Sequence, residues 1–412
     1  MKNRQLVSDM AWNTFGNIIY CICQWIITIL VVRFASYEEA GYLGLAMTTT
    51  STFATISLFN MRNYQVSDVK NEFSPNEYVG SRILTTTFAV ICCLFSGFHS
   101  KNFYQMICIN AFMLIRIAES FADVLHGVDQ KYGRYDLIGK SYVIRGLLTV
   151  SFFTVIIAVT NSAAFAIIAI GLTNLFAVFF FDLRKTSRLS KIKPVLWNSG
   201  IRLLLIKCVP LVLISFVLSL IPLTAKQSLQ NILGTDNLGK YSSIASPTLI
   251  VQVFASYAFN PLIPRISVMF MEERYSDFRL FLKRILVFFF CFSVIVFCGA
   301  IIFGRLGLKI LYGAEILEYY DAFYTLVGCT ILTAYSWIMM AIVTVIRGII
   351  PMMVGIVLSY LTVYFFADGM ITCYGMNGAS MIQLLGYGAF LLFLIIYTFS
   401  VISRKEKIGN EE

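Results

Sequence analysis

Charged residues are scarce in this 412-residue chain: they make up 13% of it, against roughly 25% in soluble domains. Hydrophobic residues account for 58%, and the mean hydropathy is +0.78. So few charges cannot cover a soluble surface, and apolar runs of spanning length recur along the chain. The composition therefore predicts a polytopic membrane protein. We attribute the net charge of +10 to basic cytoplasmic loops and expect no nucleic-acid partner.

Signatures of enzymes and of cofactor sites are missing as well. The two histidines, His99 and His126, are far apart and fit no metal-ligand pattern. The segment 234–241 resembles a phosphate-binding loop in outline, but Tyr241 replaces the Ser or Thr that would hold magnesium, and no strand precedes it. The cysteines lie almost entirely in apolar runs, which is typical of packing residues. We therefore expect no enzyme, no cofactor and no metal, and we leave H+ or Na+ coupling open.

Apolar runs of about 20 residues predict an all-α fold with twelve transmembrane helices. The predicted spans are 10–33, 41–61, 79–98, 103–126, 137–160, 162–182, 201–225, 242–264, 285–304, 322–346, 349–367 and 378–402. With the N-terminus inside, 24 Lys and Arg residues fall on the inner side and 6 on the outer side. Basic residues favour the cytoplasmic side, so both termini are predicted to be cytoplasmic.

The most basic connection, residues 184–193, separates six predicted helices from the next six. We predict an N-terminal lobe of helices 1–6 with this linker, residues 1–193, and a C-terminal lobe of helices 7–12, residues 194–412. A weak internal repeat supports the division into two halves. In each half, a short outer turn that contains glycine, Gly41 or Gly239, leads into the second helix. The linker itself is interpreted as a solvated loop near anionic lipid head groups.

Ionisable residues interrupt the fourth predicted helix. Arg116, Glu119, Asp123 and His126 fall within an arc of about 80° on that helix. A charge near the middle of a membrane costs at least ~2.5–3.5 kcal/mol, so this stripe should face protein or water. Two interpretations stay open. Arg116, Glu119 and Asp123 form either a polar network within the lobe or an H+ or cation relay in which Glu119 or Asp123 changes protonation.

A second candidate set is cationic and consists of Arg33, Arg62, Lys226 and Arg265. Each lies at the end of a helix that would border the space between the predicted halves. These side chains either extend to lipid head groups or line an electropositive cavity for a phosphate or pyrophosphate. The second interpretation makes them candidate substrate-binding residues.

Several short motifs resemble those of the polysaccharide or O-antigen flippases (Wzx-like) of the multidrug/oligosaccharidyl-lipid/polysaccharide exporter superfamily. The motifs are AWNTFGN at 11–17, EAGYLGLA at 39–46, NMRNYQVSD at 60–68, EYVGSRIL at 77–84, GRYDLIGKS at 133–141 and LYG at 311–313. The resemblance covers the whole chain, although each motif is short.

The resemblance implies two six-helix lobes around a central cavity that opens alternately to each side of the bacterial cytoplasmic (inner) membrane. It implies a substrate on undecaprenyl diphosphate, a lipid-linked oligosaccharide, whose tail stays among the membrane lipids, and possible contact with other polysaccharide-assembly proteins. The expected function is therefore flipping of repeat units for cell-surface polysaccharide biosynthesis. The alternative is a multidrug or cation antiporter of the same superfamily.

Overall fold

The computed structural model describes residues 2–68, 71–98, 100, 102–259 and 262–411. Within these residues the chain is helical and has no β-strand, which confirms the all-α fold. The α-helices are α1 (Lys2–Phe34), α2 (Tyr37–Leu58), α3 (Met61–Ser67), α4 (Pro75–Gly97), α5 (Phe103–Lys131), α6 (Tyr135–Thr160), α7 (Ala163–Ala177), α8 (Arg184–Thr186), α9 (Ser199–Leu233), α10 (Thr235–Ala245), α11 (Leu249–Phe259), α12 (Ile263–Met271), α13 (Tyr275–Tyr312), α14 (Asp321–Val345), α15 (Ile349–Tyr374) and α16 (Met376–Glu411).

In the described part of the chain, nine helices are long and apolar enough to cross a membrane. Every one of the twelve predicted spans overlaps a helix, but α2 and α5 are not among the nine. The multi-pass membrane character is confirmed, and the number twelve stays a prediction. The eighth predicted span, 242–264, is not one continuous α-helix: a 3-10 turn, Ser246–Thr248, separates α10 from α11. Pro247 lies in this turn and lacks the N–H that an α-helix needs.

Contacts between Cα atoms divide the chain into two compact units, Met1–Ser219 and Leu220–Glu412. The boundary lies inside α9. Leu204 and Cys208, near the start of α9, pack in an apolar cluster of the first unit with Met61 and Phe73. The first unit therefore includes residues beyond 193, and the division into lobes at 193/194 stays a prediction.

The first unit is built on close contact between helix backbones. In it α1 packs along α6, while α2, α4 and α7 surround α5. A Cβ atom on Gly16 would lie 2.2 Å from the carbonyl oxygen of Gly139, and one on Gly139 would lie 2.2 Å from that of Trp12. Glycine at both positions lets α1 and α6 approach more closely than side chains would allow, as small residues do between membrane helices.

Helix α3 and the turn that follows it account for the motif at 60–68. Asn60 adopts a left-handed conformation with φ of 49°, and Met61 is fully buried. Asp68 accepts hydrogen bonds from the backbone N–H groups of Glu72, at 2.8 Å, and Phe73, at 3.1 Å. Burial alone would raise the pKa of Asp68, but these backbone donors, Lys131 and the Tyr78 hydroxyl lower it below its usual value. The turn is thus fixed by one ionised carboxylate.

The second unit is centred on α14 and α16, and α15 packs on α16. By contrast, α13 presents a large apolar surface that no described residue covers. Its exposed side chains include Val287, Phe288, Phe290, Ile295, Ile302, Phe303, Leu306 and Ile310. Such a surface suits lipid contact, since a soluble monomer rarely exposes one of this size.

We expect Gly139→Val to destabilise the first unit, because the new side chain would push α6 away from the Trp12 carbonyl. Gly299→Val is the matched control, since a Cβ there meets nothing within 4 Å. The melting temperature of the purified protein in detergent should fall for Gly139→Val and stay near wild type for Gly299→Val. Equal melting temperatures would contradict the close contact between α1 and α6.

The ionised side chain of Asp68 makes the stability of the folded protein depend on pH. Because the folded-state pKa of Asp68 is lowered, its contribution to stability is present above its unfolded value of about 3.9 and is lost as the pH falls through the folded-state pKa. Asp68→Asn should therefore lower the melting temperature at pH 7 and have little effect at pH 3. A deficit of the same size at both pH values would show that the charge is unimportant.

Candidate functional site

The ionisable stripe of α5 lies inside the first unit, against five other elements. Arg116 contacts α2, Glu119 contacts α1, and Asp123 contacts both α3 and α4. His126 contacts Asp182, which lies in the helix that continues α7. The structure therefore gives each of the four side chains of the stripe a polar partner within the first unit, and these contacts together are called the polar network of that unit.

Asp123 is shared by two arginines. The Nη2 atom of Arg82 donates to Oδ2 of Asp123 at 2.7 Å, and the Nη1 atom of Arg62 donates to Oδ1 at 3.3 Å. Arg82 is fully buried, and its other terminal nitrogen donates to the carbonyl oxygen of Ser57 at 2.9 Å. Arg62 also donates to Gln130 at 3.2 Å. Because both guanidinium groups pair with this one carboxylate, Asp123 joins α3, α4 and α5.

Glu119 accepts two short hydrogen bonds. One comes from Nη1 of Arg116 and one from the Tyr20 hydroxyl, each at 2.6 Å. Arg116 also donates to the Ser51 hydroxyl at 2.6 Å. The Arg116–Glu119 pair expected from the i,i+3 spacing is therefore present, and it links α5 to α1 and α2.

A buried triangle of hydroxyl groups lies on the same side of α5. The Ser57, Thr86 and Ser120 oxygens are separated by 2.7 to 2.9 Å. Their relative exposures are 0%, 4% and 0%. This triangle connects α2, α4 and α5, so polar contacts add α2 to the helices that Asp123 joins.

Sequence reasoning missed four members of this network: Tyr20, Arg82, Arg145 and Asp182. Arg82 and Arg145 were counted among the inner basic residues, but they are 0% and 2% exposed and lie within α4 and α6. The guanidinium of Arg145 lies over the rings of Tyr20, at 5.0 Å, and Tyr142, at 5.6 Å. The sequence feature that could have identified these two buried arginines is the position of each within a helix, one turn or more inside an apolar run.

The other predicted cations lie on α1, α9 and α12. Arg33 is exposed in the last turn of α1, where its charge suits the negative end of the helix. In the second unit, Lys226 is half-buried in α9, and the guanidinium of Arg265 lies 4.9 Å above the ring of Phe281. Of the four predicted substrate-binding residues, Arg62 contacts the α5 stripe, through Asp123.

Among its described residues, the second unit has one buried cation, Lys240, which is paired at 3.0 Å with each of Asp236 and Glu315. Its other buried polar contacts include hydrogen bonds between neutral groups. The Tyr241 hydroxyl accepts from Nε2 of Gln383 at 2.8 Å and from the Ser380 hydroxyl at 3.3 Å. Thr330 and Thr248 are joined by a hydrogen bond of 2.8 Å. In neither unit do the described residues contain a group of three or more His, Cys, Asp and Glu side chains able to hold a metal ion. His99 lies outside the described residues.

No protein-family model matches the chain. The capsular polysaccharide biosynthesis protein CapF of Staphylococcus aureus is 25% identical to it over 320 residues, which cover 75% of this chain and 78% of that protein. An inward-facing multidrug resistance MATE family transporter of the MOP superfamily has a TM-score of 0.71 at 14% identity, over 97% of this chain and 99% of the other. The lipid II flippase MurJ, in an inward closed conformation, has a TM-score of 0.69 at 13% identity, over 96% and 87% of the two chains.

These similarities show that the chain shares the fold of the MATE transporter and of MurJ. The predicted resemblance is thereby confirmed at the level of the fold, and its Wzx-like part stays a prediction. The similar structures are transporters and a flippase, and the expectation that this chain is not an enzyme stays a prediction. The orientation of the termini and the inner-membrane location stay predictions.

We expect Asp123→Asn to be strongly destabilising, because it leaves the buried Arg82 without its counterion, at a cost of about 3–5 kcal/mol. Combining it with Arg82→Gln removes the unpaired charge, so the double variant should melt at a higher temperature than Asp123→Asn alone.

Asp277→Asn is the control for this pair, because Asp277 also pairs with an arginine, Arg274, but at the exposed surface. It should leave the melting temperature nearly unchanged, as exposed ion pairs contribute little. Strictly additive effects of Arg82→Gln and Asp123→Asn would refute the coupling of the two residues.

Proposed function

We propose that this protein flips lipid-linked oligosaccharide repeat units, carried on undecaprenyl diphosphate, across the bacterial cytoplasmic membrane by alternating access. The units would serve cell-surface polysaccharide biosynthesis. The observation that carries this proposal is the likeness to a capsular polysaccharide biosynthesis protein over three quarters of the chain, on a fold that a lipid flippase shares. Membrane lipids and polysaccharide-assembly proteins are the proposed partners.

A diphosphate head group requires cations along its path. We assign this role to Arg33, Arg62, Lys226 and Arg265, since arginine binds phosphate oxygens with two parallel hydrogen bonds. The stacking of Arg265 on Phe281 supports the assignment, because a ring beneath the guanidinium leaves its in-plane donors for an anion. Arg62 differs from the others: a phosphate would compete there with Asp123. Anion binding at Arg62 would thus weaken its ion pair with Asp123, which belongs to the α5 stripe.

The polar network of the first unit supports transport of an anionic head group over transport of organic cations. A cation antiporter needs carboxylates that are available to its substrate. Glu119 and Asp123 are already engaged by Arg116, Arg62 and Arg82. Drug susceptibility of a deletion strain tests the alternative: resistance lost without loss of surface polysaccharide would favour the multidrug or cation antiporter.

We expect deletion of the gene to abolish surface polysaccharide and to trap its lipid-linked precursor on the inner side. Lys226→Gln and Arg265→Gln should each reduce surface polysaccharide roughly tenfold or more at equal protein level. This is the effect of losing about 1.5–3 kcal/mol from a hydrogen bond to a charged group. Arg265→Lys should restore only part of the loss, since lysine binds phosphate as a point charge.

Arg279→Gln is the matched control, because Arg279 is an exposed arginine already paired with Glu406. It should leave surface polysaccharide near the wild-type amount. If all four residues of the cationic set tolerate glutamine without loss of polysaccharide, the phosphate-binding role is wrong. A deletion strain with normal polysaccharide would refute the function as a whole.

A further inference from the structure

The chain changes from an α-helix to a π-helix directly after α7, and the π-helical segment carries a carboxylate, that of Asp182. Residues Val178–Leu183 form a π-helical segment between α7 and α8. Such segments are rare and occur frequently at functional sites. Asp182 lies in this segment, is 3% exposed and points toward α5.

Among the described residues, the two carboxylate oxygens of Asp182 differ in their hydrogen bonding. Its Oδ1 atom lies 3.3 Å from Nε2 of His126, which is 1% exposed. Among the described residues, its Oδ2 atom has no hydrogen-bond partner. A buried carboxylate with a free oxygen is costly, so its presence needs a reason beyond packing.

Arg145 is a buried cation that interacts electrostatically with this pair. It is 2% exposed, and its Nε and Nη1 atoms have no hydrogen-bond partner in the described part of the chain. It interacts electrostatically with both Asp182 and Glu119, but neither carboxylate lies within ion-pair distance of it in that part. Arg145 therefore interacts electrostatically with two acidic groups and forms an ion pair with neither in the described part of the chain.

Charged and titratable groups from several helices surround His126. Tyr142 and Arg145 face it from α6, with the Tyr142 ring 5.3 Å from the imidazole. Arg62 on α3 acts on it electrostatically. On α5 itself, Asp129 acts on Asp182 and accepts a hydrogen bond from Thr186 at 2.9 Å. Tyr20 on α1 lies beyond Arg145.

We propose that His126 and Asp182 together bind one exchangeable proton and that Arg145 responds to it. The inference rests on the proposed transport function. Proton uptake from solvent changes the charge of the pair from −1 to 0, and the proton belongs to the pair rather than to one atom. Arg145 then loses its attraction to Asp182 and is drawn toward Glu119, and proton release reverses the change.

The geometry favours this pair over the carboxylates of the α5 stripe. Protonation of Glu119 or Asp123 would break ion pairs with Arg116, or with Arg62 and Arg82. Protonation of His126 and Asp182 breaks none. A sodium ion suits the cluster less well, because hard cations take several oxygen ligands and the cluster offers one unpartnered carboxylate oxygen beside a guanidinium.

The test is a titration that needs no substrate. In a His99→Gln background, His126 is the one histidine left in the chain. The protein, labelled with 13C at the ring Cε1 of histidine and placed in lipid nanodiscs, is titrated by NMR from pH 5 to pH 9. We expect one reversible step within this range. Asp182→Asn should move the midpoint down, and Arg145→Gln should move it up, each by about one pH unit or more.

Arg188→Gln is the matched control, because it removes the same charge from an exposed residue just after α8 and should not move the midpoint. Arg145→Lys keeps the charge and should leave the midpoint near the parent value, which guards against a general loss of structure in Arg145→Gln. The proposal is overturned if His126 shows no step, or if Asp182→Asn and Arg145→Gln both leave the midpoint unchanged in protein of normal elution volume.

Surface polysaccharide measured in the same strains separates the two proposals. A normal titration together with normal polysaccharide in a deletion strain refutes the proposed transport function and retains the proton site. A flat titration together with lost polysaccharide in the deletion strain refutes the proton site and retains the function. Loss of polysaccharide in His126→Gln at normal protein level is the result expected if both are correct.

Discussion

The need to neutralise buried guanidinium groups governs the first unit. Arg82 is fully buried in α4, where an unpaired charge would be very costly. Asp123 neutralises it from α5 and also holds Arg62 on α3. The positions of these three helices are therefore tied to one carboxylate. The hydroxyl triangle and the Arg116–Glu119–Tyr20 contacts extend the same constraint to α2 and α1.

The two units differ in the nature of their buried polar contacts. In the first unit, ionised groups are paired inside the bundle, and Arg145 and Asp182 keep unpartnered atoms. In the second unit, Tyr241, Gln383 and Ser380 are joined by neutral hydrogen bonds, and Lys240 is paired with the exposed carboxylates of Asp236 and Glu315. A change of protonation among the deeply buried ionised groups would therefore alter the energetics of the first unit strongly, because little solvent screens them.

Helical periodicity predicted the stripe of α5, since Arg116, Glu119, Asp123 and His126 are spaced to share one face. The partners of the stripe were not predictable in the same way. An arginine near the inner end of an apolar run, such as Arg82 or Arg145, has the same local pattern as a cation at the membrane surface. Burial, set by neighbouring helices, separates the two cases. The π-helical segment around Asp182 likewise depends on packing, whereas the break in the eighth span coincides with a proline, Pro247.

The order of the charged partners along the chain has a consequence for biosynthesis. Arg82 precedes Asp123 by 41 residues, so α4 leaves the ribosome before its counterion exists. At roughly 5–20 residues per second, the delay is about 2–8 s. During that time a lone guanidinium in an apolar helix disfavours stable insertion. We therefore expect α4 to wait beside the translocation machinery until α5 arrives, and the two helices to enter the bilayer as a pair.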